Sequence, residues 1–211
     1  MINMSALNQE DEWNDLLLED FFSWVSGSSA ILHAVNRLES SHINSSLISY
    51  LLWHACGAYG AIGHKYFIRL KHAVSLWEED IVDELKRLRH LINMSRGSKV
   101  SKITTVEAWL MDEIDVARKM EQELLLEAVP LKQSPGRSVQ QRLRDACSNI
   151  VRYCQHSKIA LSDKLISDIS DVLCFVFAGY DDLDIDSGLQ LALSKSKFKG
   201  SSSFVQLNLR D

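Results

Sequence analysis

Between His64 and Arg96 the chain contains neither glycine nor proline, and its apolar residues recur every three or four positions: Phe67, Leu70, Val74, Trp77, Ile81, Leu85, Leu88 and Ile92. That spacing sets these side chains along one face of an α-helix, and no strand alternation of comparable length competes with it. At about 1.5 Å per residue, one helix over this span is roughly 50 Å long. Ser75 can also cap a new start, so the pattern admits one rod or two helices meeting there.

The same logic extends along the chain. Residues 12 to 25 carry Trp13, Leu16, Leu17, Phe21 and Trp24 at helical spacing. Ser28 or Ser29 caps a second helix, with Ile31, Leu32, Val35 and Leu38 inward. Asn44 caps a third, LISYLLWHAC, whose apolar character on nearly every side predicts a place at the centre of the fold. Residues 95–103 are polar and basic and read as a loop. Thr104 with Glu107 fits a capping box for a helix running to about residue 129, where Pro130 ends it. KQSPGR, residues 132–137, is a linker. Ser138 with Gln141 caps a helix bearing Val139, Leu143, Cys147, Ile150 and Cys154, and Ser162 or Asp163 starts one bearing Leu165, Ile169, Val172 and Val176. The predicted fold is all-α: a single-domain bundle of about seven or eight helices with a flexible C-terminal tail. Its parts are a helical core over 10–130, a helical hairpin over 138–180 packing on it, and a flexible or weakly ordered tail over 181–211.

Composition supports this. Two prolines and nine glycines in 211 residues leave long helices uninterrupted, and 46% apolar with 24% charged residues is the balance of a globular domain with a substantial core. A net charge of -5 argues against bulk nucleic-acid binding. The first residues lack a basic and then apolar leader, and no run reaches about 18 apolar residues, so neither a signal peptide nor a membrane span is expected and the location expected is cytoplasmic. Cys56, Cys147, Cys154 and Cys174 are scattered without a C-x-x-C pair, as buried thiols used for packing would be.

The segment from Trp24 to Val129 carries Tyr50-Leu51-Leu52-Trp53, then Trp77-Glu78-Glu79-Asp80-Ile81-Val82, then Leu85-Lys86-Arg87-Leu88-Arg89, then a Glu-rich stretch from Glu107 to Glu127. In this it resembles a small helical proteobacterial family known only as a domain of unknown function. Leu38-Glu39, Ser46 and Glu84 depart from that family's pattern. The resemblance implies an all-helical cytoplasmic protein and no established activity.

No catalytic constellation is legible, and no cofactor is called for. Glu39-Ser-Ser-His42 is a lone E-x-x-H where a di-iron bundle needs two, and Gly57-Ala-Tyr-Gly60-Ala-Ile-Gly63 follows a helix instead of a strand, which makes it a helix end and turn. What does stand out is charge segregation. Glu78, Glu79, Asp80, Asp83 and Glu84 run into Lys86, Arg87 and Arg89, and Arg96, Lys99 and Lys102 extend the basic block. The helix dipole alone selects acids before bases, and solvated charge is the plain reading. The functional reading is a partner surface made of Glu79, Asp83, Lys86, Arg87, Arg89, Arg96, Lys99 and Lys102, in a non-enzymatic interaction or regulatory protein that meets a protein partner or itself. The acidic helix 107–127, in the same chain or a second copy, is the first expected counterpart. Two alternatives stand beside it: a helical enzyme or metal protein with a site among His54, Tyr59, His64 and His72, and RNA or ribosome contact through the basic block.

Overall fold

The computed structural model describes residues 13–41, 43–94, 102–134, 136–180 and 182–201. Among them it contains eight helices and no strand: α1 Leu18–Gly27, α2 Ser29–Glu39, α3 Ser45–Cys56, α4 over 64–94, α5 Lys102–Ala128, α6 Val139–His156, α7 Asp163–Val176 and α8 Asp182–Ser201. The all-α expectation holds. No helix among the described residues is long and apolar enough to cross a membrane.

The chain divides into two compact units, one of residues 1–67 with 131–211 and one of residues 68–130. The 10–130 core expected from sequence is therefore split, and the 138–180 segment is an inner part of the first unit instead of an addition to it. The reason lies in α3. Every residue from Ser46 to Cys56 is buried, so this helix needs cover on all sides. Helices α1, α2 and α6 supply it, and α6 in turn packs on α8. Burial of Ile48, Leu51 and Leu52 contributes about 1.5 to 3 kcal/mol each.

Local signals set the helix starts. Ser28, Asn44, Ser138 and Ser162 accept from the backbone N–H of Ile31, Leu47, Gln141 and Leu165, as their positions in the sequence predict. At Ser138 the capping box is complete, with the Gln141 side chain accepting from the Ser138 N–H. Ser138→Ala is expected to lower stability by about 1 kcal/mol in chemical denaturation, and an unchanged midpoint would show that α6 is held by packing alone. The Thr104 box does not form the start of α5, because that helix already begins at Lys102. Leu17 and Leu32, expected inward, are exposed, while Leu18 and Ala34 take the inner positions.

The segment between α3 and α4 is fixed by side chains of α6. Asn149 Oδ1 accepts from the Ile62 N–H at 2.8 Å, and Asn149 Nδ2 donates to the Gly60 carbonyl at 3.3 Å. Arg152 donates to the Ile62 carbonyl at 2.8 Å, and Arg142, itself buried, donates to the Cys56 carbonyl at 2.6 Å. These bonds satisfy backbone groups that the ended helix leaves open. Gly60 has a φ of +88°, as a turn glycine should, and Ala58 also sits in the left-handed region at 59°.

The tail expected from residue 181 is helical from Asp182 to Ser201, a correction with a packing cause. Ile185, Leu189 and Ala192 are buried at steps of four and three. Gly188 lets α8 approach α6 closely: a Cβ there would stand 3.1 Å from Cys147 Sγ. Residues 202–211 lie outside the described residues.

Candidate functional site

The second unit is built from residues 68–94 of α4 and from α5, packed antiparallel. Between the α-helical stretches His64–Trp77 and Asp83–Met94, residues Glu78–Val82 form a π turn, so 64–94 is one continuous helix with no break at Ser75. The Asp83 N–H reaches back five residues to the Glu78 carbonyl. A π turn holds about one residue more than an α turn, so positions eight apart align across it instead of about seven. Lys86 Nζ therefore donates to Glu78 Oε1 at 3.0 Å, eight residues away.

The extra residue also rotates the apolar stripe by roughly 100°. Val82 is fully buried, whereas Ile81 is 38% exposed and Leu88 44% exposed. The unbroken stripe read from sequence placed Ile81 and Leu88 in the core; the π turn moves both outward.

A charged cluster lies under this turn. Arg118 Nη1 donates to Glu78 Oε2 and to Glu121 Oε2, each at 2.6 Å, and the Glu121 side chain has no exposed surface. The Trp77 indole N–H donates to the Ala117 carbonyl at 2.9 Å and fixes the two helices in register. Burial pushes the Glu78 carboxyl up, but Arg118 and Lys86 outweigh it and hold Glu78 below its ordinary value. For Arg118, burial pulls the guanidinium down, and Glu121 and Glu78 more than reverse it. Burial, and then the charge of Glu78, raise the Asp83 carboxyl.

Much of the segregated charge is thus used within the unit. Lys86 also lies 3.9 Å from Asp83, and Arg87 pairs with Glu84 at 2.9 Å. Among the described residues, the cation that bridges the two helices, Arg118, comes from the acidic helix itself. Arg89 is half-buried, with Nε lacking an acceptor among the described residues. The Glu79 side chain and that of Lys102 lie outside the described side chains, and Arg96 and Lys99 lie outside the described residues. Arg118 and Glu121 were missed in the sequence because an i,i+3 pair inside a long helix looks like any surface pair.

Beside these ion pairs, the hairpin carries an exposed apolar feature. On α5 the inner positions are Leu110, Ala117 and Glu121, and one residue before each register position lie Trp109, Val116 and Met120, exposed by 56, 50 and 47%. Val106 continues this line, and on α4 Ile81, Leu88 and Leu91 hold the same offset from Val82, Arg89 and Ile92, with Glu84 at that offset from Leu85. In an antiparallel pair, equal offsets from the contact line fall on the same side of both helices. One side of the hairpin therefore carries both stripes, and the other carries Asp83, Lys86, His90, Asp115 and Arg118 together with the exposed Met111.

Comparison with protein-family models, with curated proteins and with solved structures finds no match.

The histidines group otherwise than as one site. His54 is buried between the rings of Tyr50 and Tyr59, at 5.9 and 5.2 Å. Burial lowers its imidazole to about 4, opposed by a hydrogen bond to the Gly60 backbone, as suits a neutral core histidine. His64 Nδ1 lies 2.9 Å from His156 Nε2, and Phe67 stacks on His156. His72 is exposed in the second unit. No group of three or more His, Cys, Asp or Glu side chains able to hold a metal occurs among the described residues. Cys56, Cys147 and Cys154 are buried, and burial pushes the thiols of Cys147 and Cys154 up to about 12, far from a reactive thiolate.

Proposed function

We propose that this chain is a non-enzymatic, cytoplasmic interaction protein whose partner surface is the α4–α5 hairpin. The observation that carries the reading is the two-helix apolar side with Leu88, Leu91, Val106, Trp109, Val116 and Met120 exposed together. Soluble proteins seldom leave so many large apolar groups contiguous unless another surface covers them. Trp109 is the expected anchor, since aromatic groups supply most of the affinity at such surfaces. The segregated charges support this side instead of forming the contact: Glu78, Lys86 and Arg118 hold the helices in the register that presents it.

A photo-reactive amino acid placed at position 109, and separately at Asp115 on the charged side, tests the reading in cells that produce the chain. Irradiation is expected to give a protein adduct from position 109 and none from 115. Equal yields from both sides, or none from either, would remove the support for a partner surface here.

A further inference from the structure

We propose that His64 and His156 form a binding site for a divalent transition-metal ion of the copper(II) class, held by the two imidazoles with water completing its coordination. Both residues belong to the first unit, so the inference is independent of the hairpin reading above.

Position comes first. His64 opens α4 and His156 closes α6, 92 residues apart in the chain. Asn149, Arg152 and His156 are spaced three and four apart and share one face of α6. The first two hold the segment that leads into α4: Asn149 through the Ile62 N–H and the Gly60 carbonyl, Arg152 through the Ile62 carbonyl. His156 extends the same face and meets His64, the second residue after Ile62. Phe67, one turn along α4 and 2% exposed, stacks on the His156 ring at 5.4 Å with an interplanar angle of 11°. Both rings are thus placed by helices, and the His64 side is open to solvent, so an ion can reach it.

Geometry follows. Nδ1 of His64 and Nε2 of His156 are 2.9 Å apart. A straight N–H···N bond of that length would hold the ring centres about 5.2 Å apart. They stand 4.5 Å apart, so the rings lean off the line between the nitrogens and a hydrogen bond there is bent. Imidazole binds a metal at about 2.0 to 2.1 Å, and two nitrogens with the separation seen here subtend about 90° at one ion. That is the angle between neighbouring ligands in a square or tetragonal field, which Cu2+ and Ni2+ prefer with nitrogen ligands. A tetrahedral ion such as Zn2+ needs about 3.3 Å between the two. When each ring carries its N–H on the other nitrogen, both facing atoms offer lone pairs and no proton has to leave.

Charge sets the strength. The nearby cations are turned elsewhere, Lys65 over the Tyr66 ring and Arg152 to the Ile62 carbonyl. No third His, Cys, Asp or Glu completes a metal cluster among the described residues, so the other positions fall to water and the ion is exchangeable, unlike one in a closed structural site.

Titration of the purified full chain with Cu2+ in a non-coordinating buffer, read by calorimetry and electron paramagnetic resonance, tests the site. One ion per chain is expected with the signature of two imidazoles. His64→Ala and His156→Gln should each weaken that binding about ten-fold or more and remove the two-imidazole signature. Circular dichroism of His64→Ala should be unchanged, because the residue is exposed. The double variant His33→Ala with His72→Ala, which removes two exposed histidines elsewhere, should bind as the wild type does. An ion that binds either pair variant as tightly as the wild type is adventitious and overturns the site. A wild-type chain that takes up no Cu2+, or holds it through a single imidazole, overturns it as well.

Discussion

Replacing Arg118 by methionine is expected to destabilise the second unit by about 3 to 5 kcal/mol, the scale seen when one member of a buried ion pair is removed. The guanidinium stands 2.6 Å from both Glu78 and Glu121, and Glu121 has no exposed surface with which to recover hydration. Methionine fills a similar volume but returns none of the charge. The paired variant Arg118→Met with Glu121→Leu should recover most of the loss, because it removes the desolvated carboxylate together with its cation. Trp77 fluorescence is a fitting probe, since its indole N–H bonds to the neighbouring helix at Ala117. A single-variant loss below about 1 kcal/mol would mean that solvent screens this cluster as it does surface pairs. Acid should act on the same cluster. Glu78 titrates below its ordinary 4.5 in the folded chain, so its contribution is complete above that value and is lost as the pH falls through the depressed one.

Lowering the pH from about 7 to about 5 is expected to remove about 2 kcal/mol of stability through His54 alone. The folded imidazole titrates at about 4 and the unfolded one near 6.5. Between those values the unfolded chain binds the proton and the folded one resists it, so stability rises with pH across that window and falls on acidification. The cause is burial: the ring is 3% exposed, lies among Tyr50 and Tyr59, and its Nδ1 has no hydrogen-bond partner among the described residues. His54→Phe keeps an aromatic ring in this nest and removes the titration. Denaturation midpoints measured across the window should slope for the wild type and flatten for the variant. Parallel slopes would place the pH dependence elsewhere.

Four helices were legible because their starts carry a local device. A serine or asparagine side chain closes on a backbone N–H three residues on, and that bond needs nothing from the rest of the fold. The central position of α3 was legible too, since a helix apolar on every side has only one stable surrounding. Two features were not. The phase of α4 beyond Trp77 depends on the π turn at Glu78–Val82, which exchanges Ile81 for Val82 at the inner position. Nothing in the three-and-four spacing announces it, because Leu85 and Ile92 fit both phases. The order of α8 was hidden by an acidic start, a basic end and a glycine that reads as a breaker, yet Gly188 is what permits close packing on Cys147.

The candidate surface shows the same division. The charges of 78–89 were conspicuous in the sequence, but their partners were not, because Arg118 and Glu121 join Glu78 only when α5 folds back along α4. Ile81 and Leu88, which lie on the exposed apolar side, were read as core, since a periodic apolar face is buried in a chain that has enough elements to cover it. By itself, then, the sequence determined four helix starts with their caps and the central element, all of which follow from interactions within a few residues or from the apolar character of one segment. Only the tertiary structure decided which residues each helix turns inward, which charges neutralise one another, and which apolar side is left uncovered. Those outcomes depend on the rotational phase of one helix against another, a quantity that a single inserted turn residue changes by about 100°.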